Sequence, residues 1–222
     1  MMLGFSDFFN TRKAVLIAWL VFICLLLPMT SLAKDESLPP HWSLEFKVGR
    51  FESALEEWDT YYDENPSQFD VGWSYKVFRP LEIGLSLGRM TTGGAGNFPL
   101  SQSIGGEVDF TLVPLHVSLL YRFVLYENQL FVPYIGGGWT RVYYRQKTED
   151  GKKFEGSHDG SHLKVGIQFL LNSLDKSRAR TLRRKWGIEN TYLFLEALSF
   201  VAKEDQIDLG GDSISLGLLM EY

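Results

Sequence analysis

The sequence predicts an all-β fold: an eight-stranded antiparallel up-and-down barrel that crosses a membrane and follows a cleaved signal peptide. Apolar and polar residues alternate with a period of two in segment after segment beyond Pro40. The only long apolar run lies near the start of the chain and is shorter than a membrane-spanning helix. The single cysteine lies inside that run, so a hydrogen-bonded sheet without disulfides must hold the rest of the chain together.

The start of the chain has the layout of a secretory signal peptide. Two basic residues precede an apolar run over residues 14–27, and Ser31 and Ala33 place small side chains where signal peptidase recognises them. The run has about 14 residues, whereas a spanning helix needs roughly 20, which disfavours an uncleaved anchor. We therefore predict a signal peptide over 1–33 and an outer-membrane barrel domain over 34–222.

The charge and cysteine content of the exported chain exclude several classes of protein. The signal segment holds two of the 22 basic and one of the 27 acidic residues, which leaves 20 basic and 26 acidic residues. Such an acidic chain is not a general nucleic-acid binder. A lipoprotein acylated at Cys24 is disfavoured because Ile23 stands where a small residue is required. The Gly-rich stretch 93–96 lacks the Lys and Ser/Thr of a phosphate-binding loop, and we predict no cofactor.

The strands follow from the alternation of side chains. In the first of them, Trp42 and Leu44 share one face while Ser43 and Glu45 share the other. The predicted strands lie near 42–51, 69–78, 81–90, 105–123, 131–145, 161–171, 190–201 and 212–222. An even number brings both chain ends to one side of the membrane, as in single-chain bacterial barrels.

The fourth strand contains a break in the alternation. Val108, Phe110 and Leu112 have one parity, whereas the apolar residues from Val117 onward have the other, and Pro114 lies between. A turn at Pro114 would give nine strands. A β-bulge keeps eight and is a position where sheets tolerate proline, so we predict the bulge.

The connections between strands alternate in length. Short turns are predicted near Arg79-Pro80 and Glu127-Asn128, as is typical of periplasmic turns. The long polar connections, which correspond to extracellular loops, are predicted at 52–68, 91–104, 146–160 and 202–211.

Segment 172–190 is long but belongs to the side of the short turns. It contains six basic residues, and Leu174, Leu182 and Trp186 would form a narrow apolar seam on a short helix. Such a helix either lies on anionic lipid headgroups or caps the periplasmic mouth of the barrel.

Alternation alone does not say whether the apolar face of the barrel points outward, because a lipocalin-like soluble barrel would bury it. The polar face favours the membrane arrangement, since small residues and charges of both signs fill a narrow lumen well. These charges are Glu45, Lys47, Asp70, Lys76, Glu82, Arg122, Lys164, Glu196 and Glu221. Aromatic residues near strand ends fit interfacial girdles: Trp42, Trp73, Tyr75, Tyr121, Phe123, Phe169 and Tyr222.

Two segments resemble small outer-membrane β-barrels of the OmpW and OmpA-transmembrane-domain type. Residues 217–222 resemble the C-terminal signal that the outer-membrane assembly machinery reads, although Leu216 stands where that signal usually has a polar residue. Residues 133–138 resemble the Pro-Tyr-apolar-Gly-small-Gly segment of OmpW-type barrels, and Pro114 and 121–123 occupy the corresponding places in the preceding strand. The resemblance implies the barrel fold and a location in the bacterial outer membrane, and it implies no ligand.

One pair of residues points weakly to catalysis. His116 and Ser118 share a face, and a His-x-Ser pair resembles the lipid A deacylase barrels. That family has an Asn after the Ser and an acid to complete the triad, whereas Leu119 follows here and no acid is evidently placed. We therefore interpret the pair as ordinary strand residues and predict no catalytic residue.

Three groups of residues point weakly to metal ions. His158 and His162 have Asp159 between them, but pairs in or beside polar loops are usually coincidental. Two acidic sets lack the spacing of an EF-hand and fit solvated loops. The sets are Glu52, Glu56, Glu57, Asp59, Asp63 and Glu64, and Asp205, Asp208 and Asp212. We predict no metal ligand.

The sequence favours an integral outer-membrane protein with a structural or surface-interaction role, no large pore and no enzymatic activity. A carrier or narrow channel for small apolar molecules or lipids is the alternative, and a lipid A-modifying enzyme is less favoured. A carrier would need an apolar lumen, for which the sequence offers few residues beyond Phe194 and Leu198. The expected partners are membrane lipids, lipopolysaccharide and the assembly machinery; the oligomeric state stays open.

Overall fold

The computed structural model describes residues 41–54, 58, 65–95, 107–148, 153–204 and 207–222. All of them belong to the compact unit Pro39–Tyr222. The predicted signal peptide over 1–33, and Cys24 within it, lie outside the described residues. In the described part of the chain, no helix combines the length and apolarity that crossing a membrane requires.

Eight antiparallel strands close into a barrel, which confirms the predicted fold. Closure occurs where the first barrel strand pairs with the last, and every other pairing joins barrel strands that follow one another in the chain. The barrel strands are β1 (Trp42–Ser53), β2 (Ser67–Phe78), β3 (Leu81–Ala95), β4 (Glu107–Arg122), β5 (Phe131–Thr148), β6 (Lys153–Leu170), β7 (Asn190–Val201) and β10 (Gly211–Glu221). The short strands β8 (Lys203–Glu204) and β9 (Ile207–Asp208) form a separate ribbon between β7 and β10.

The stagger between strands sets the width of the barrel. A path that starts at Trp42 and steps to the directly opposed residue of each next strand goes once around the barrel. It returns to β1 at Glu52, ten residues further along. Strands so staggered must tilt relative to the barrel axis, and eight of them leave an interior just wide enough for side chains to fill. We call the end that holds Trp42 and Tyr222 the termini end, and the opposite end the loop end.

The apolar face of the strands points outward and the charged face points inward. Val48, Ile83 and Leu195 are each more than half exposed, whereas all nine charged residues of the predicted polar face lie on the interior side and are buried or half-buried. This arrangement is that of a barrel that spans a membrane and the opposite of a soluble ligand-binding barrel. The predicted orientation of the two faces is therefore confirmed.

The predicted aromatic residues gather at the termini end. Trp42 stacks on Trp73 at 4.5 Å between ring centroids, and Phe131 packs beside Phe169 at 5.3 Å. The Trp and Tyr rings of this group are apolar yet carry a polar atom, and such rings favour the boundary between lipid and water.

The predicted bulge at Pro114 is wrong. Strand β4 pairs with β3 in one register on both sides of the proline, through Leu87 with Leu115 and Met90 with Leu112. The two intervening positions of β3 are left unpaired, because proline has no N–H to donate. Inward parity is therefore constant along β4, and the break in the sequence pattern reflects a lumen that changes from apolar to polar.

The predicted long loop over 146–160 is also wrong, because β5 and β6 extend until only residues 149–152 separate them. Cross-strand ion pairs cover the outer face of this extension: Arg145 with Glu155 at 2.7 Å and Arg141 with Asp159 at 3.0 Å. The outer face of a strand must be apolar only where it contacts the lipid interior. A strand that projects beyond this region therefore loses the apolar–polar alternation, although its hydrogen bonds to the neighbouring strands continue.

Candidate functional site: the filled lumen and the two barrel rims

A four-residue ion cluster fills the lumen near the termini end. The Arg122 guanidinium donates to Glu82 at 2.7 Å and to Glu221, and Lys76 donates to the same Glu221 carboxylate at 2.6 Å. Asn190 donates to the other oxygen of Glu221 at 2.8 Å. The formal charges of the two bases and the two acids cancel, as buried charges require.

A second ion cluster lies on the loop side of the first and is centred on Glu196. Its carboxylate accepts from Lys47 at 2.5 Å and from the Tyr134 hydroxyl at 2.8 Å, and Lys164 lies 3.7 Å away. The Tyr134 ring has room because the residue that faces it is Gly166. A Cβ at position 166 would lie only 2.4 Å from the phenol ring. The cavity bounded by Glu45 and Lys164, among others, has a volume of about 10 Å³, room for about one water molecule.

Apolar side chains fill the lumen at the loop end, which corrects the prediction of few apolar lumen residues. Trp58, from the connection between β1 and β2, packs edge-on against Phe51 and Phe110 with centroid distances of 6.5 and 5.8 Å. We call this group the upper apolar cluster: Phe51, Trp58, Met90, Phe110, Leu112, Val142, Leu198, Phe200, Ala202 and Leu209. All ten are at most 4% exposed, so they pack against one another and do not line an open cavity.

A smaller apolar cluster lies near the termini end. It contains Phe194, for which the sequence predicted a place in the lumen, together with Val132, Leu170, Tyr192 and Leu219. The Phe194 ring fits over Gly217, where a Cβ would come within 2.5 Å of the ring. Charged and apolar groups therefore occupy the lumen at successive depths.

A chain of hydrogen bonds links two histidines in the lumen wall. Ser118 Oγ lies 2.8 Å from His162 Nε2, and His162 Nδ1 lies 2.9 Å from Thr140 Oγ1. The same Thr140 hydroxyl lies 2.8 Å from His116 Nδ1. Ser118 thus bonds to His162 and not to His116, the partner that the sequence suggested, because residues i and i+2 of a strand point the same way without touching.

The geometry of this group does not complete a catalytic triad. Among the described residues, no carboxylate hydrogen-bonds to either histidine. His116, Ser118 and Thr140 are all at most 3% exposed. Phe200 of the upper apolar cluster packs on the His116 ring at 5.5 Å. The arrangement therefore satisfies polar groups inside the lumen.

The residues considered for metal binding do not converge. His158 packs edge-on against Tyr144 at 5.4 Å, while Asp159 points outward to its ion pair. Asp208 accepts hydrogen bonds from the backbone of Ala202 and Gly210, which fixes the turn beside the β8–β9 ribbon. The other acidic candidates are exposed or lie outside the described residues. Within the described chain, no three His, Cys, Asp or Glu residues could together hold a metal ion.

The outer face near the loop end combines arginines with an apolar groove. Arg50 lies opposite Ser67 and Arg89 opposite Phe69, so the two exposed arginines flank the Phe69 ring on adjacent strands. An open groove of about 540 Å³ lies beside Arg50 and is lined by residues of β2, β1, β10 and β7. Its apolar lining includes Val48, Phe69, Leu195, Ile214 and Leu216.

A basic helix, α1 (Lys176–Trp186), projects from the termini end, as predicted for segment 172–190. Asp175 caps its first turn, and the backbone N–H groups of Arg178 and Ser177 hold the pKa of that carboxyl below its usual value. Gly187, in the left-handed region with φ 70°, ends the helix. No side chain of α1 is buried, so the helix does not plug the mouth of the barrel.

Comparisons with known proteins agree with the barrel. The crystal structure of neisserial surface protein A (NspA) matches at a TM-score of 0.55 and 11% identity, over 82% of this chain and 97% of that one. The outer membrane protein OprG from Pseudomonas aeruginosa matches at 0.55 and 10% identity, over 85% and 99%. Neither a protein-family model nor a curated protein sequence matches the chain. The chain therefore has the fold of the small outer-membrane β-barrels, and its apolar outer face agrees with the predicted location in the bacterial outer membrane.

Proposed function

We propose that the protein is an integral outer-membrane barrel with a structural or surface-interaction role and no large pore. The observation that supports this proposal is the filled lumen of a barrel whose outer face is apolar. A hydrated ion crossing the barrel would have to displace paired charges at one depth and close-packed aromatic side chains at another. The role therefore belongs to the surfaces of the barrel and its connections.

A planar-bilayer recording tests the absence of a pore. We expect the purified full-length chain, inserted into the bilayer, to give no steps in the conductance range of a general porin measured in the same salt. Insertion is verified separately by the heat-dependent migration of protein recovered from the bilayer lipid. Porin-sized steps from protein verified in this way would refute the proposal.

The lumen gives the alternative functions less support. A carrier needs an empty apolar cavity, whereas the upper apolar cluster is occupied by the protein's own side chains. An enzyme acting on lipid A needs its nucleophile exposed to lipid, whereas Ser118 is 3% exposed and faces the lumen. We accordingly propose no enzymatic activity.

We further propose lipopolysaccharide as a lipid partner of the outer face near the loop end. The guanidinium groups of Arg50 and Arg89 suit phosphate groups, and the groove beside Arg50 suits an acyl chain. The assembly machinery stays the proposed partner of β10 during insertion.

Charge reversal tests the lipopolysaccharide contact. We expect R50E/R89E to weaken binding of lipopolysaccharide to the detergent-solubilised chain about tenfold, because two charge-assisted contacts become repulsive. The control R79E reverses a cation at the termini end, outside α1, and should leave the affinity unchanged. Equal affinities for wild type and R50E/R89E, measured by titration, would contradict this contact.

A further inference from the structure

The termini end carries a cationic surface that no part of the barrel covers. Helix α1 contains six basic residues and no acidic one among its 11 positions. These are Lys176, Arg178, Arg180, Arg183, Arg184 and Lys185. Arg183 pairs with Glu189 at 2.6 Å and Arg178 with Asp175 at 3.2 Å. The other four basic side chains of the helix have no ion-pair partner among the described residues.

The same segment exposes large apolar side chains to its surroundings. Trp186 is 70% exposed, as is Leu174 just before the helix. Ala179, Leu182 and Trp186 follow the three- and four-residue spacing that places them on one face of α1. Leu174 lies outside the helix, so the apolar seam predicted from sequence is shorter than expected, but it still includes Trp186.

The ends of the segment fix its height relative to the membrane. Asn172 donates to the Glu189 carbonyl at 2.8 Å and accepts from the Thr191 N–H at 3.0 Å, which ties both ends of the segment to the start of β7. Phe131 and Phe169, which belong to the aromatic girdle, lie on the strands beside this point. Helix α1 therefore leaves the barrel where lipid headgroups meet water.

We propose that α1 lies on the membrane surface at the termini end, binds the phosphates of anionic phospholipids and inserts Trp186 among the headgroups. A surface rich in Lys and Arg attracts an anionic leaflet, and an exposed indole is most stable at the lipid–water boundary. The inference rests on the membrane insertion proposed above and adds a specific lipid class to it.

The native tryptophan gives a direct readout in the full-length protein. The signal of Trp186 is the difference between the fluorescence of wild type and of W186F, each reconstituted in vesicles. In vesicles with about 30% phosphatidylglycerol, we expect aqueous quenchers to reach Trp186 at least about threefold less than in pure phosphatidylcholine. We also expect the R180E/R184E variant to lose this protection.

Two controls separate the possible outcomes. The K147E/K153E variant reverses two cations that face each other at the opposite end of the barrel and should behave as wild type. Migration of the unheated protein on a gel reports the folded barrel whatever the state of Trp186. A folded barrel in which Trp186 is equally accessible in both lipids would overturn this inference and leave the proposed function standing; loss of the folded, lipid-inserted barrel would refute the proposed function itself.

Discussion

The E196A variant is expected to lower the free energy of unfolding by about 3 kcal/mol, among the largest effects of any single substitution in the lumen. Glu196 is 1% exposed and is the carboxylate closest to both Lys47 and Lys164. Its removal leaves two ammonium groups in a narrow, water-poor interior without their main acceptor, and it also removes the acceptor of the Tyr134 hydroxyl.

Unfolding by urea in lipid vesicles measures this effect. The matched control is E127A, which breaks an exposed ion pair with Arg79 at 4.0 Å and should cost less than about 0.5 kcal/mol. E196Q keeps groups that accept hydrogen bonds but loses the charge, so its stability should fall between those of wild type and E196A. Equal urea midpoints of unfolding for E196A and E127A would show that the second ion cluster, around Glu196, does not stabilise the barrel.

The sequence alone predicted the strands and their orientation well. Period-two alternation is a local property, and a lipid exterior with a narrow lumen imposes it at every strand within the membrane. Each of the nine charged residues on the predicted polar face lies on the interior side. The strand bounds differ most for β6, which begins at Lys153 and not near 161, because that extension lies beyond the apolar belt.

The contents of the lumen could not be read from local patterns. The change of parity around Pro114 predicts a bulge in the backbone, whereas it records a lumen that is apolar on the loop side of the proline and polar on its termini side. Phe110 and Leu112 point inward like Ser118, and only the registers of neighbouring strands reveal that they meet Met90 and Val142.

The pairing of Ser118 with His162 shows the same limit. The two residues lie 44 positions apart in the chain and on strands that do not pair with each other, so no spacing in the sequence connects them. Only strand β5 separates their strands, and Gly138 of β5 lies directly opposite both residues, so the two side chains meet over a position that has no side chain. A short motif such as His-x-Ser therefore identifies the residue types of this group but not the partners.

The most direct test of a membrane-spanning barrel is migration of the outer-membrane fraction on a gel, with and without boiling. We predict that the protein is found in the outer-membrane fraction. We also predict that the unboiled sample runs faster than the boiled one, because a closed barrel with every strand paired stays compact in detergent until heat unfolds it. The whole band should shift, since closure leaves no edge strand from which the sheet can open. A protein found in the soluble periplasmic fraction, with one band at the same position before and after boiling, would contradict a membrane-spanning barrel.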